Sequence, residues 1–345
     1  MSAHVDHRSL APYASPAISA FPDRLYVVTA ISNPVRYHSR YRLYHAFEKQ
    51  VADAGAILYT AEMAFGGREF EVTDSNNPRH VQVRSSHELW HKENLLNLAI
   101  SRLPADAKYI AWIDADVAFT KPDWAQETLQ QLQHYDFVQL FSQAVDLGPR
   151  NEILHTSLGW IESIEQGLIF KDCNRPKNEL GSALAMARPS GLIKGAWHSG
   201  FAWACRRDAL DKVGGLIDFA ILGSADRHMA AGLFGFMDQT MLKTFTPAYR
   251  DRLMQWQARA ERFVRRNVGQ VRGTIFHQFH GKKVDRKYVD RWQILVDNKF
   301  NPLTDIKRDS QGLWQLHDDG SLRAITLRNQ LREYFRVRNE DSIDV

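Results

Sequence analysis

Tyr109-Ile110-Ala111-Trp112-Ile113-Asp114-Ala115-Asp116-Val117 is the stretch on which the fold turns. A mostly apolar run with β-branched and aromatic members leads straight into two acids spaced i, i+2. Such a run reads as a buried strand. Side chains alternate along a strand, so Asp114 and Asp116 are expected on the same side. Two carboxylates at the end of a buried strand repel each other and lose hydration, which is costly unless a cation compensates. Hard divalent ions take oxygen ligands, and Mg2+ commonly keeps substrate phosphates in its shell. The expectation is a metal site at a strand's carboxyl end, where open α/β sheets bind ligands, with a phosphorylated ligand beside it. The bland alternative is a strand-to-turn junction in which an Asp caps the next segment.

Working back toward the N-terminus, Arg24 to Ala30 reads as a first strand that ends in the turn Ile31-Ser32-Asn33-Pro34. Tyr41, Tyr44, Phe47 and Val51 then recur at helical spacing up to Gly55, and Ala56 to Thr60 is a second strand. This order implies a parallel pair joined by a crossover helix. The loop after the first strand has no glycine fingerprint, so dinucleotide binding is not indicated. Thr29, Ser32 and Asn33 are candidates for contacting a base or ribose, with simple turn formation by Asn33-Pro34 as the alternative. Short strands are expected at Phe70 to Thr73 and His80 to Arg84. Ser85-Ser86 should then cap a helix to about Arg102 that carries Lys92, Glu93 and Asn97.

Beyond the acid pair, a helix is expected from Lys121 to about His134, and a strand from Asp136 to Phe141. Residues Ser142 to Gly191 look irregular and are expected to form a substrate-covering insertion. A strand over Ala196 to Arg207 and a helix from Asp208 to Val213, closed by Gly214-Gly215, come next. Asp226 stands at the start of a further helix, either as its N-cap or as a carboxylate base at a pocket mouth. Arg250 to Arg272 reads as a basic helix. Ile275, His277 and Phe279 alternate toward His280-Gly281-Lys282-Lys283. There His280 is a candidate third metal ligand, and the lysines are candidate cations for a leaving diphosphate. A surface basic loop is the alternative. Gly312 to Leu316, Asp318-Asp319-Gly320 and a helix through Arg338 form a hairpin-and-helix extension.

Composition bounds the function classes. The chain has 345 residues, 44% hydrophobic and 24% charged, which gives ample core for a globular protein. No apolar run approaches the roughly 20 residues that span a bilayer. Residues 1–22 are expected to be a flexible leader without the apolar centre of a signal peptide. Two cysteines cannot make a disulfide framework, which fits a reducing cytosol. From Arg250 onward there are 20 Lys and Arg against 13 Asp and Glu, an excess of +7 in a chain of net charge +4. That basic third could face phosphates or be a solvated surface. His87-Glu88-Leu89-Trp90-His91 matches the zinc-peptidase pattern His-Glu-x-x-His. Its position in a first helical turn and the absence of the extended pattern argue against it, but it remains the alternative from another enzyme class. A non-catalytic binding module of the same fold is a third reading.

Several of these residues together resemble the nucleotide-sugar glycosyltransferases of the GT-A fold, family-2-like and of phage or bacterial type. They are the first strand and loop from Val27 to Asn33, Asp114-Ala115-Asp116 after Trp112-Ile113, the segment Gly214 to Asp226, and His280-Gly281. The resemblance covers roughly residues 24 to 290, with Trp-x-Lys-Glu-Asn at Trp90 to Asn94 as in phage and bacterial members. It implies an α/β fold: a single Rossmann-like GT-A domain over 23–300 with a mixed, mostly parallel central sheet. The nucleotide-binding half would be 23–141, the acceptor and metal half 142–300, and the C-terminal helical and hairpin extension 301–345. It implies hexosyl or pentosyl transfer from a nucleotide-sugar, a UDP-sugar above others, with Mn2+ or Mg2+ as cofactor. Asp116 would hold the ion directly, Asp114 the ribose or the ion indirectly, and His280 would be the third ligand. Lys92 would reach the donor phosphates, and Asp226 would be the base of an inverting reaction. Ala225 stands where many members carry an acid, a departure that bears on that base. The basic last third and the phage resemblance point to hydroxymethylated pyrimidines of phage DNA as acceptor, with a glycan or protein acceptor as the alternative.

Overall fold

The computed structural model describes residues 23–169, 197–288 and 290–344. The expected leader lies outside them, as does much of the expected covering insertion. A seven-stranded sheet forms the centre, in the order β10-β6-β9-β4-β1-β2-β3. Its members are β1 (Leu25–Ser32), β2 (Ile57–Phe65), β3 (His80–Ser85), β4 (Tyr109–Ile113), β6 (Phe137–Gln139), β9 (Ala202–Arg206) and β10 (Val268–Gln270). All neighbouring pairs are parallel except those of β9, which runs antiparallel to β4 and β6. The expected mixed, mostly parallel α/β sheet is therefore what the chain forms. A second sheet, β5-β11-β7-β8, is built from β5 (Val117–Phe119), β7 (Gln143–Leu147), β8 (Ile153–Leu158) and β11 (Thr274–His277).

The central strands show why they are buried on both faces. Tyr26, Val28, Ile110 and Trp112 join one core cluster, while Leu25, Val27, Tyr109, Ala111 and Ile113 join the other. That is the period-2 alternation of a strand with helices on both sides. Helix α1 (His38–Asp53) covers the second face with Phe47 and Val51. Helix α2 (Lys92–Ser101) covers the first with Leu95, Leu96 and Ala99. The chain passes from β1 to β2 and β3 on one side, then returns to β4 on the other side of β1. The gap between the carboxyl ends of β1 and β4 is therefore the topological switch point, the place where such sheets open a ligand crevice.

Four local expectations are corrected. Phe70 to Thr73 is not a strand; the buried Glu62 carboxylate accepts the backbone N–H groups of Glu71, Val72 and Thr73, which serve it instead of a ladder. The helix expected from Ser85-Ser86 starts only at Lys92. Ser85 closes β3, Trp90 N donates to Ile221 O at 2.9 Å, and the His91 ring bridges Leu89 O and Trp314 O, so tertiary contacts hold this segment out of the helix. Part of the supposedly irregular region, from Gln143 to Leu158, is the pair β7 and β8, whose polar strands lack clean alternation and exist through pairing with each other and with β11. The basic helix is Pro247–Phe263, and not Arg250 to Arg272. Arg265 and Arg266 take left-handed φ values of 54° and 61° and turn the chain into β10. Without Gly or Pro at that point, the sequence carries no visible stop signal.

The hairpin of β12 (Ile306–Arg308) and β13 (Trp314–Leu316) and the last helix, Leu322–Arg336, pack onto this body. Trp314 N donates to Asn94 Oδ1 at 2.8 Å, and its indole donates to Asp218 at 3.0 Å. Among the described residues no helix is long and apolar enough to cross a membrane.

Candidate active site

A cavity of about 390 Å³ opens at the switch point, and Asn33, Lys92, Asp114, Asp116, Asp226 and His280 are among its walls. That volume suits a ligand of nucleotide size. The chain brings these residues from the end of β1, the start of α2, the turn after β4, the helix Ala225–Gly232 and the loop after β11. Thr29 and Lys282 do not line it. Thr29 is fully buried because its hydroxyl donates to Ile113 O at 2.8 Å, clamping β1 to β4 beneath the cavity. Of the two lysines, Lys283 lines the cavity and pairs with Asp146.

The acid pair divides its work. Asp114 forms an ion pair with Lys92. Burial pushes the Asp114 carboxyl above its ordinary value, with Lys92 opposing and Asp116 adding to the rise. Burial works against the charge on Lys92 as well, yet Asp114, Glu93 and Asp226 hold that ammonium above its usual range. Asp116 turns to the other side, where His280 Nε2 lies 3.0 Å and Arg40 3.2 Å from Oδ2. Burial opposes its ionisation, but His280, His277 and Arg40 outweigh that and keep the carboxyl well below its ordinary value.

Asp116, His277 and His280 present one ligand atom each within 4.8 Å of one another, and all three are buried. Asp116 Oδ1 is buried with no hydrogen-bond partner. His277 Nε2 stands 3.9 Å from that oxygen and 3.2 Å from His280 Nε2. On its far side, His277 Nδ1 meets Asp146 Oδ1 at 2.8 Å. Burial disfavours the Asp146 charge, yet His277 and Lys283 hold its carboxyl far below the usual range, so it accepts and His277 donates from Nδ1. That fixes the tautomer whose Nε2 lone pair points into the cluster, the arrangement by which carboxylates orient metal-binding histidines. An orphaned carboxylate oxygen and the Nε2 atoms of two imidazoles, 3.2 Å apart in one buried spot, fit a divalent cation. Burial pushes His280 down to about 4, so that ring is neutral at neutral pH.

His277 and Asp146 were missed as site residues, although the alternation through Ile275, His277 and Phe279 had already placed the histidine on a strand. Nothing local marks Asp146; it reaches His277 because β7 lies parallel to β11, with Asp146 and His277 in register.

Asp226 is not part of this cluster but shares its cavity, with the stacked rings of His198, Phe201 and His277 running between them. It lies in the first turn of its helix, with Ser224 rather than Asp226 at the N-cap, and its Oδ1 accepts from Arg227 N at 2.8 Å. Burial raises the Asp226 carboxyl, but Lys92, His198 and that backbone donor more than offset it, so it stays ionised. Gly200 makes room for it: a Cβ there would stand 2.3 Å from Asp226 Oδ2. Phe201 and Ser224, which flank the carboxylate, take left-handed φ values of 71° and 72°. Strained non-glycine residues of this kind persist where surrounding contacts over-determine them, and they concentrate at working sites. Trp197, Arg227 and Trp292 continue the wall beside Asp226.

Three arginines of the basic last third are not on a solvated face. Arg286, Arg291 and Arg338 are buried around the cavity, where Arg291 serves Ser224 and Tyr334 and Arg338 serves Glu340 and Tyr334. The His-Glu-x-x-His residues lie on the non-helical segment before α2, so His87 and His91 do not share a helical face, and both ring nitrogens of His91 meet carbonyl oxygens.

No sequence-family model and no curated protein matches this chain. Among solved structures it is similar to the catalytic domain of Drosophila beta1,4-galactosyltransferase 7 in complex with xylobiose. That match has 9% identity and a TM-score of 0.38, over 90% of this chain and 99% of that one. A variant of the same enzyme with manganese, UDP-Gal and xylobiose matches at 9% identity and TM-score 0.38, over 89% and 98%. A nucleotide-diphospho-sugar transferase from Desulfovibrio desulfuricans G20 matches at 12% identity and TM-score 0.28, over 90% and 96%. Similarity of that order fixes no chemistry, and the reading that follows stands on the side chains of the cavity.

Proposed function

We propose that the protein is a metal-dependent glycosyltransferase that moves a sugar from a nucleotide-sugar donor, a UDP-sugar first among them, to an acceptor hydroxyl. One observation carries this reading. A single cavity at the switch point holds both a buried, cation-deficient cluster of Asp116, His277 and His280 and an ionised, positioned Asp226. Mn2+ or Mg2+ bound to the cluster would neutralise charge growing on a departing diphosphate. Lys92 and Arg40 stand on either side of the acid pair and add positive field there, while Asn33 lines the cavity at the end of β1 with its amide committed to the turn, Nδ2 donating to Tyr37 O at 2.8 Å and Oδ1 accepting from Tyr37 N at 2.9 Å. Asp226 takes the proton of the attacking hydroxyl, and attack on the sugar face away from the leaving diphosphate inverts the anomeric centre. Trp197 and Trp292 line the cavity with that carboxylate, both nearly buried and with the Arg227 guanidinium over their rings, an aromatic and cationic lining suited to a ring-bearing acceptor. A hydroxymethylated pyrimidine in DNA and a glycan both present such a ring.

The test is nucleotide release from a panel of UDP- and other nucleotide-sugars with Mn2+, by wild type and by Asp116→Ala, followed by acceptor panels that include hydroxymethylcytosine DNA and oligosaccharides. Release by wild type that falls at least about a hundredfold in the variant is expected. Equal release by both would remove the metal assignment.

A further inference from the structure

The chain that follows the last helix returns to the metal cluster. Asn339 N donates to the Tyr37 hydroxyl at 3.0 Å, and Ser39 Oγ donates to Glu340 O at 3.0 Å. The Asp341 carboxylate accepts from His38 N and Ser39 N, both at 2.8 Å, and so caps the start of α1 from the far end of the sequence. On its other side this segment touches the loop that carries His280: a Cβ on Gly281 would meet Asn339 O at 2.6 Å. Glu340 is thereby held at 3% exposure between the two. Its carboxylate accepts from Arg338 Nε at 2.6 Å and from Arg40 through two nitrogens, while Arg40 also donates to Asp116.

The important neighbour is His280. Its Nδ1 faces two groups of opposite polarity: Arg286 NH2 at 3.2 Å and Glu340 Oε2 at 3.6 Å. A guanidinium has donors only, so contact with Arg286 requires the lone pair on Nδ1 and the proton on Nε2, pointing at Asp116. A ring that gives its Nε2 lone pair to a cation must carry the proton on Nδ1 instead. Arg286 cannot accept that proton, and Glu340 can.

We propose that Glu340 is a positioning residue of the metal centre: it accepts the Nδ1 proton of His280 and so selects the tautomer whose Nε2 faces the ion. The proposal rests on the metal-dependent reading above. His280 changes partners on loading, from Arg286 to Glu340; one proton leaves Nε2 and one arrives at Nδ1, with no net change in charge. The segment after the last helix is then part of the cluster's outer shell, coupled to Asp116 through Arg40.

Two measurements on the full chain test this. Mn2+ affinity is read from free-ion electron paramagnetic resonance for wild type and Glu340→Gln, with the metal-free melting temperature of both recorded. Wild type should bind, and the variant should bind about 10- to 100-fold more weakly, the usual range for losing such an outer carboxylate. Long-range proton–nitrogen spectra of histidine-labelled wild type, with His280 assigned by His280→Asn, should show the Nε2–H form without metal and the Nδ1–H form with Mg2+. Should the variant fail to fold, this second measurement still decides. Wild type that binds no Mn2+ overturns the metal reading itself. Wild type that binds, with an unchanged variant or an Nε2–H ring in the loaded protein, overturns the role of Glu340 alone.

Discussion

Gly200→Ala adds one methyl group at the position where the structure has least room for it. The new Cβ would stand 2.3 Å from Asp226 Oδ2, 3.2 Å from His198 Cε1 and 3.3 Å from Asp226 Cγ. Carbon and oxygen in ordinary contact stay about 3.2 Å or more apart, so the carboxylate must retreat by roughly 1 Å. Gly200 is not in the left-handed region, so alanine adds no backbone strain and the collision is the whole perturbation. Asp226 cannot swing freely, because Oδ1 is tied to Arg227 N and the residue is part of a buried helical turn. A 1 Å misplacement of a reacting group costs on the order of a hundredfold in rate, equivalent to about 2.7 kcal/mol of barrier. Overpacking adds about 1–3 kcal/mol of destabilisation, readable as a lower melting temperature. The assay is nucleotide release from the donor found active with wild type, where water stands in for the acceptor, alongside Mn2+ binding. The expected result is a rate near one hundredth of wild type with unchanged Mn2+ affinity, because Asp226 is not among the candidate metal ligands. A folded variant that turns over at the wild-type rate would refute the role of Asp226 as base.

Two further outcomes follow from the same geometry. Asp146→Asn removes the acceptor that holds the proton of His277 on Nδ1, so Mn2+ affinity measured at fixed pH should fall about 10- to 100-fold while Asp226-dependent steps at saturating metal change little; unchanged affinity would exclude the Asp146–His277–ion arrangement. His228 is buried with Nδ1 on Thr240 at 2.6 Å and Nε2 unpartnered, and burial, aided by Arg227, depresses it from 6.5 to about 3. A depressed folded value means that its contribution to stability is complete above pH 6.5 and is lost as pH falls toward 3, by about 1.4 kcal/mol per pH unit in that window. Burial raises Glu93 to about 7, which acts in the opposite sense between pH 4.5 and 7. The difference between wild type and His228→Gln therefore isolates the histidine. The variant's melting temperature should fall less steeply between pH 6.5 and 4, and parallel curves would contradict the assignment.

Local pattern was enough to locate the scaffold of the site. The apolar run before Asp114 is fully buried in β4, and the periodicities around Val27, Phe47 and Ile57 produced the parallel β1–α1–β2 unit. These signals are readable because strand and helix periods depend only on neighbours in sequence, and because charge at the end of a buried strand demands compensation wherever the strand lies. Asp116 and His280 could be named for that reason. Where a helix stopped was less visible. The end of the helix Pro247–Phe263 depends on two arginines in left-handed conformation, and the delayed start of α2 depends on Ile221 and Trp314, to which no short motif refers.

What only the tertiary structure decided is the company each site residue keeps. His277 became a metal-binding candidate through Asp146, 131 residues away in sequence, once β7 and β11 were in register. Arg40 and Glu340 meet across 300 residues, and Gly200 matters only because Asp226 leans over it. A sequence states which side chains can hold a cation or a proton. Which lone pair is left without a partner, and which donor or acceptor faces the other nitrogen of the same ring, follows from angstrom-scale separations that exist only after distant segments have packed.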